Sequence, residues 1–121
     1  MAKNIQEYTV DEAWEEIEKN LQADPKPIEG LNVVYQYDIT GEEEGTYQLH
    51  LSDGKAKVEK GTPAEPDCTL QMGASDFKDL LVGNLNGTAA FMSGKLKVKG
   101  DIGLAIKLES LLRKYDTSQY K

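Results

Sequence analysis

Histidine and cysteine are almost missing from this chain: His50 and Cys68 are the sole representatives in 121 residues. A lone cysteine excludes an internal disulfide and fits a reducing compartment. One histidine and one cysteine cannot furnish a typical zinc site, so no metal is expected. No apolar run approaches the roughly 20 residues of a membrane-spanning helix. The opening residues, Met1-Ala2-Lys3-Asn4-Ile5-Gln6-Glu7, hold no apolar signal core. The closing Ser118-Gln119-Tyr120-Lys121 is not a Ser-Lys-Leu address. Together these features lead to the expectation of a cytoplasmic protein. Basic residues are also scarce: 14 Lys and Arg face 21 Asp and Glu, a net charge of −7. That balance argues against general nucleic-acid binding, which draws most of its affinity from phosphate neutralisation. Gly-x-Gly-x-x-Gly and phosphate-loop patterns are missing, and no nucleophile–base pair is visible, so neither a cofactor nor an enzymatic reaction is expected.

What is present fits one domain over residues 1–121, with an ordered core at about 9–116. Charge is unevenly spread. Residues 1–93 carry 7 Lys/Arg against 18 Asp/Glu, whereas residues 94–121 carry 7 against 3. The basic C-terminal third reads either as a solvated helix or as a docking patch for transient contact with an anionic membrane surface.

Periodicity then sorts the chain. Thr9-x-x-Glu12 is a capping box, and Val10, Ala13, Trp14, Ile17 and Leu21 follow at helical spacing until Pro25 and Pro27. Residues 32–40 alternate, with Val33, Tyr35, Tyr37 and Ile39 on one face. Residues 46–51 repeat the pattern with Tyr47, Leu49 and Leu51. Ser52-Asp53-Gly54-Lys55 is a hairpin signal leading into a third strand at 55–59, and residues 67–72 make a fourth with Cys68, Leu70 and Met72 inward. These four strands are expected to form an antiparallel meander. A helix capped by Ser75 and ended by Gly83, a helical turn at 88–93 and a fifth strand at 95–99 follow. A last helix then runs from Gly100-Asp101 to about Tyr115. The fold class is therefore α+β: five strands in one mainly antiparallel sheet, covered on one face by helices.

The last helix carries one apolar stripe: Leu104, Ala105, Leu108, Leu111, Leu112 and Tyr115. Ile102 and Ile106 fall outside it. Either they are ordinary exposed isoleucines, or they make a second apolar contact with a ligand, a partner or a neighbouring helix.

The run Gly94-Lys95-Leu96-Lys97-Val98-x-Gly100-Asp101, set between a short helix and an apolar one, is similar to the C-terminal half of sterol carrier protein 2 domains. Asp67-Cys68-Thr69-Leu70, Ser75-Asp76-Phe77, Leu80-x-x-Gly83 and Ala89-x-Phe91-Met92-Ser93 add to the resemblance. It implies an apolar tunnel between sheet and helices that takes fatty acid, fatty acyl-CoA or sterol-like lipid with low selectivity. The expected function is that of a non-specific lipid carrier. The alternative is a protein–protein interaction module on the same fold without a functional tunnel.

The candidate tunnel residues are Phe77, Leu80, Leu81, Phe91, Met92, Ile102, Ile106 and Leu108, each of which is also compatible with plain core. Met92 is singled out because a flexible thioether adapts to varied ligands. The Gly83-Asn84-Leu85-Asn86-Gly87 link reads as a hinge for ligand entry. His50 falls on a polar strand face, Cys68 reads as an inert buried thiol, and Glu42-Glu43-Glu44 reads as a solvated charge run in a turn. Asn86-Gly87-Thr88 matches a glycosylation sequon and reads as the turn before the short helix.

Overall fold

The structure is a computed structural model that describes residues 4–115. Residues 1–3 and 116–121, which include the chain ends considered above and the expected end of the ordered core at 116, lie outside the described residues. The elements are α1 (Val10–Ala23), β1 (Val33–Thr40), β2 (Gly45–Ser52), β3 (Lys55–Lys60), β4 (Cys68–Gly73), α2 (Ala74–Leu81), α3 (Gly87–Met92), β5 (Lys97–Gly100) and α4 (Ile102–Leu112). The capping box forms: the Glu12 amide donates to the Thr9 hydroxyl at 3.1 Å, and the Thr9 amide donates to the Glu12 carboxylate at 2.9 Å. The β2–β3 turn has two central residues at positive φ, Asp53 at 54° and Gly54 at 72°, which matches the right-handed twist of the strands it joins.

The five strands form one sheet in the order β3-β2-β1-β4-β5. Three of its pairings are antiparallel, and β1 with β4 is parallel. The expected meander is therefore corrected at its fourth strand: β4 does not lie beside β3 but crosses to the far side of β1. Two side chains account for this. Gln48 is fully buried although it faces away from the helices. Its amide donates to the Ala64 carbonyl at 2.7 Å, and its carbonyl accepts the Ala64 N–H at 3.2 Å. The 61–67 connection is thereby held across the outer face of β2. Asp67 then engages Val34 twice: its N–H donates to the Val34 carbonyl at 2.9 Å, and its carboxylate accepts the Val34 N–H at 2.8 Å. That double contact starts β4 alongside β1 and sets the parallel register.

Helices cover the face that carries Val33, Tyr35, Tyr37, Ile39, Leu49, Leu51, Leu70 and Met72. Trp14 of α1 sits at the centre of an aromatic cluster. Its ring centroid is 4.8 Å from Tyr37, 5.0 Å from Phe77 and 5.7 Å from Tyr47. α1 also satisfies the free edge of β3, since Glu18 accepts the Val58 N–H at 2.7 Å and Gln22 donates to the Ala56 carbonyl at 2.8 Å. Those contacts remove backbone groups that would otherwise invite another strand.

Three further expectations are corrected. Gly73 rather than Ser75 is the residue before α2, because β4 runs into the helix without a loop and Ser75 lies inside the first turn. β5 begins at Lys97, not at 95, since the amides of Lys95 and Leu96 bond to the Ala90 carbonyl and close α3. Glu43 is not a merely solvated member of a charge run. Its carboxylate accepts the Val10 N–H at 2.9 Å and pairs with buried Lys78 at 3.0 Å. The Val10 amide first, and then Lys78, hold the Glu43 carboxyl below the usual range.

Candidate functional site: an apolar cavity under the last helix

An apolar cavity of about 140 Å³ lies between the sheet and the late helices. Its floor is one cross-strand row: Tyr37 of β1 pairs with Leu70 of β4, which pairs with Val98 of β5. Leu80 of α2 and Leu96 close one side. Phe91 and Thr88 of α3 close another, and α4 forms the roof with Ile102, Ala105, Ile106, Leu108, Glu109 and Leu112. Large apolar side chains border it at the surface: Phe91 is 43% exposed, Ile102 51% and Ile106 62%. The volume is close to that of an engineered cavity of roughly 150 Å³ that takes benzene. A long acyl chain is larger than that, so it fits only if α4 or α3 shifts or if part of the chain extends past the exposed rim.

A second cavity of about 40 Å³ lies between α1 and the C-terminal end of α4, bordered by Ile5, Ile17, Leu81 and Tyr115 among others. Leu112 lines both cavities and so forms part of the wall between them.

Two polar contacts hold the roof. Glu109 of α4 accepts the N–H of Gly87, the first residue of α3. A Cβ at Gly87 would collide with that carboxylate. Arg113, one residue beyond α4, donates to the carbonyls of Leu80 and Leu81 at the C-terminal end of α2. α4 therefore grips both ends of the 83–87 link. Further along, the Tyr35 hydroxyl donates to the Leu104 carbonyl at 2.8 Å and ties the start of α4 to the sheet. Burial, with smaller contributions from Cys68, Asp101 and Asp67, pushes the Tyr35 phenol up to about 12. Burial also raises the Cys68 thiol, helped by Asp101 and Asp67, so it stays protonated and is a poor nucleophile. Among the described residues no group of three or more His, Cys, Asp or Glu could hold a metal ion. No described helix is long and apolar enough to cross a membrane.

The sequence profile of the SCP-2 sterol transfer family matches residues 14–113, which span every strand and helix just described except the first turn of α1. The chain belongs to that family. Hydroxysteroid dehydrogenase-like protein 2 of Xenopus laevis is 38% identical over 112 residues, covering 92% of this chain and 26% of its own length. Human sterol carrier protein 2 is 37% identical over 102 residues, covering 81% of this chain and 19% of its own length. The chain thus spans about a quarter or less of these curated relatives. Among solved structures, sterol carrier protein domain 2 of Helicoverpa armigera superposes with a TM-score of 0.76 at 30% identity, over 94% of this chain and 93% of that one. The palmitated SCP2L2 of Aedes aegypti superposes with a TM-score of 0.72 at 27% identity, over 87% and 95%.

Against this SCP-2 frame the eight candidate residues separate. Leu80, Phe91, Ile102, Ile106 and Leu108 line the larger cavity. Phe77 does not: it is fully buried beside Trp14 and Tyr37, as core. Leu81 lines the small second cavity. Met92 is a correction, because it is 81% exposed and lies outside both linings. α3 is only six residues long and presents Ala90, not Met92, to the core. Sequence reasoning missed Tyr37, Leu70, Leu96, Val98, Ala105 and Leu112 as lining residues, and Thr88 and Glu109 as its polar members. The inward alternation of Tyr37, Leu70 and Val98 was a usable signal. Without the sheet order, nothing placed the three side by side.

Proposed function

We propose that this SCP-2 chain is a non-catalytic carrier that takes up and releases fatty acid, fatty acyl-CoA or sterol-like lipid through the cavity under α4. The observation that carries the reading is an apolar hollow continuous with an exposed apolar rim, on a chain whose family relatives include a palmitated protein. Each buried methylene contributes roughly 0.8 kcal/mol, so a long acyl chain gains several kcal/mol without any charged anchor. Entry of a full-length chain needs the roof to move. The 83–87 link is the proposed hinge, and the Glu109–Gly87 contact is the catch that opens. In keeping with this, we place the protein in the cytoplasm, where the exposed rim meets lipid surfaces transiently. Phe91, Met92, Ile102 and Ile106 supply the apolar contact, and the basic balance of residues 94–121 supplies attraction to anionic lipid.

Mass spectrometry of an organic extract tests the carrier directly, on protein expressed in cells and purified without detergent. Stoichiometric acyl or sterol-like lipid is the expected result. Protein that emerges empty and ignores a fluorescent fatty acid in titration would instead favour an interaction module on the same fold.

A further inference from the structure

The hydroxyls of Tyr35, Tyr47 and Tyr115 have partners. Tyr35 donates to the Leu104 carbonyl at 2.8 Å, Tyr47 to the Asp11 carboxylate at 2.7 Å and Tyr115 to the Asp24 carbonyl at 2.7 Å. Tyr37 differs. It is 2% exposed, and its ring is fixed by edge contacts with Trp14 at 4.8 Å and Phe77 at 5.6 Å. It lines the cavity floor, yet its hydroxyl bonds to none of the described residues. Trp14 Nε1 and His50 Nε2 are the fully enclosed side-chain atoms without a partner among the described residues, and the Tyr37 hydroxyl is not one of them: it keeps a little open surface on a residue that lines the cavity. Leu70, Val98, Leu80 and Leu108 line the same cavity and offer no side-chain acceptor. Burial pushes the Tyr37 phenol far above its usual range, so the group remains an O–H donor at any ordinary pH.

We infer that the Tyr37 hydroxyl is the anchoring group for the ligand, so that the cavity receives an amphiphile oxygen end first with its hydrocarbon trailing toward Ile102 and Ile106. The inference rests on the carrier reading and names the ligand class within it. A neutral oxygen fits: an alcohol, a ketone or an ester carbonyl enters oxygen end first, whereas a fatty acid or acyl-CoA keeps its ionised head outside the rim and enters by its tail. An ionised head group at that depth would exchange its water shell for a single neutral donor. The Glu109 carboxylate in the same lining adds repulsion against an anion.

The test uses two small probes of about the cavity's size, which need no movement of the roof. Cyclohexanol and cyclohexane are titrated by NMR into the wild-type chain and into Tyr37→Phe. The expected result is unchanged cyclohexane affinity, with cyclohexanol about fivefold weaker in the variant, the worth of one neutral hydrogen bond. Equal cyclohexanol affinity in both proteins, with cyclohexane still bound, overturns the anchor and leaves an apolar carrier standing. Failure of the wild-type chain to bind either probe removes both. Thermal unfolding gives a second readout. Tyr37→Phe is expected to keep or raise Tm because no internal bond is lost, whereas Tyr35→Phe loses its bond to Leu104 and falls by a few degrees. An equal fall in both variants would mean that the Tyr37 hydroxyl already has an internal partner, and the anchor is then wrong.

Discussion

A single row of side chains crosses the sheet from Tyr47 through Tyr37 and Leu70 to Val98, and its two ends behave differently. At the Tyr47 end, Trp14 fills the space above the strands and touches Tyr37, Tyr47 and Phe77. At the Val98 end the covering helix is α4, whose leucines leave a hollow of about 140 Å³ beneath them. The filled end is anchored by an amphipathic helix with a capping box and by two side-chain bonds to the β3 edge. The hollow end is roofed by a helix that exposes isoleucine and is held at its ends by Glu109, Arg113 and Tyr35. One end is closely packed, while the other leaves apolar surface open, which is where the proposed guest would lie. A small domain has little core to spare, and this one concentrates its aromatic packing around Trp14, outside the lining of the hollow.

The contrast breaks most visibly at Trp14. Trp14→Ala removes the centre of the aromatic cluster, and a loss of about 3–5 kcal/mol in chemical denaturation is expected. A loss below about 1 kcal/mol would mean that the filled end is not the stabilising one. A smaller effect is expected at Glu43, which ties Val10 to Lys78. Its folded-state carboxyl is depressed, so its contribution is present above the ordinary carboxylate value near 4.5 and is lost as pH falls through the lower folded value. Glu43→Gln is expected to cost about 1–2 kcal/mol at pH 7, kept modest by the partial exposure of the carboxylate. That gap should close below pH 4.5, and a gap unchanged at pH 3 would contradict the ion-pair role. The smallest stability effect belongs to the hollow end. Ile106→Ser, at a position 62% exposed, is expected to change unfolding free energy by less than about 0.5 kcal/mol. It should nonetheless slow fatty-acid uptake from vesicles. Loss of stability with normal uptake would reverse the assignment of that face.

The filled end was legible in the sequence because its signals are local. The apolar alternation over residues 32–40 and 46–51, the Thr9–Glu12 box and the Asp53-Gly54 turn each declare themselves within a few residues. The path of β4 was not legible, since it depends on Gln48 meeting Ala64 and on Asp67 meeting Val34. Those contacts form across the sheet and leave no periodic trace. The hollow end was half legible. Eleven residues of α4 make three turns, enough to show Ile102 and Ile106 off the main stripe, and both do border the cavity. Six residues of α3 make fewer than two, so choosing Met92 over its neighbours had no periodicity behind it. Tyr37 was read as core by alternation and is core on its ring faces. Its unpaired hydroxyl emerges only once every neighbour is in place.

The most direct measurement is isotope-filtered NMR of the chain saturated with 13C-labelled palmitate, reading contacts from the acyl methylenes to protein side chains. Contacts to Leu70, Val98, Leu108 and Ile106, with none to Trp14, are expected if the guest lies under α4. Contacts confined to the surface, or the absence of any bound acyl chain, would contradict the claim that this end of the molecule is a lipid site.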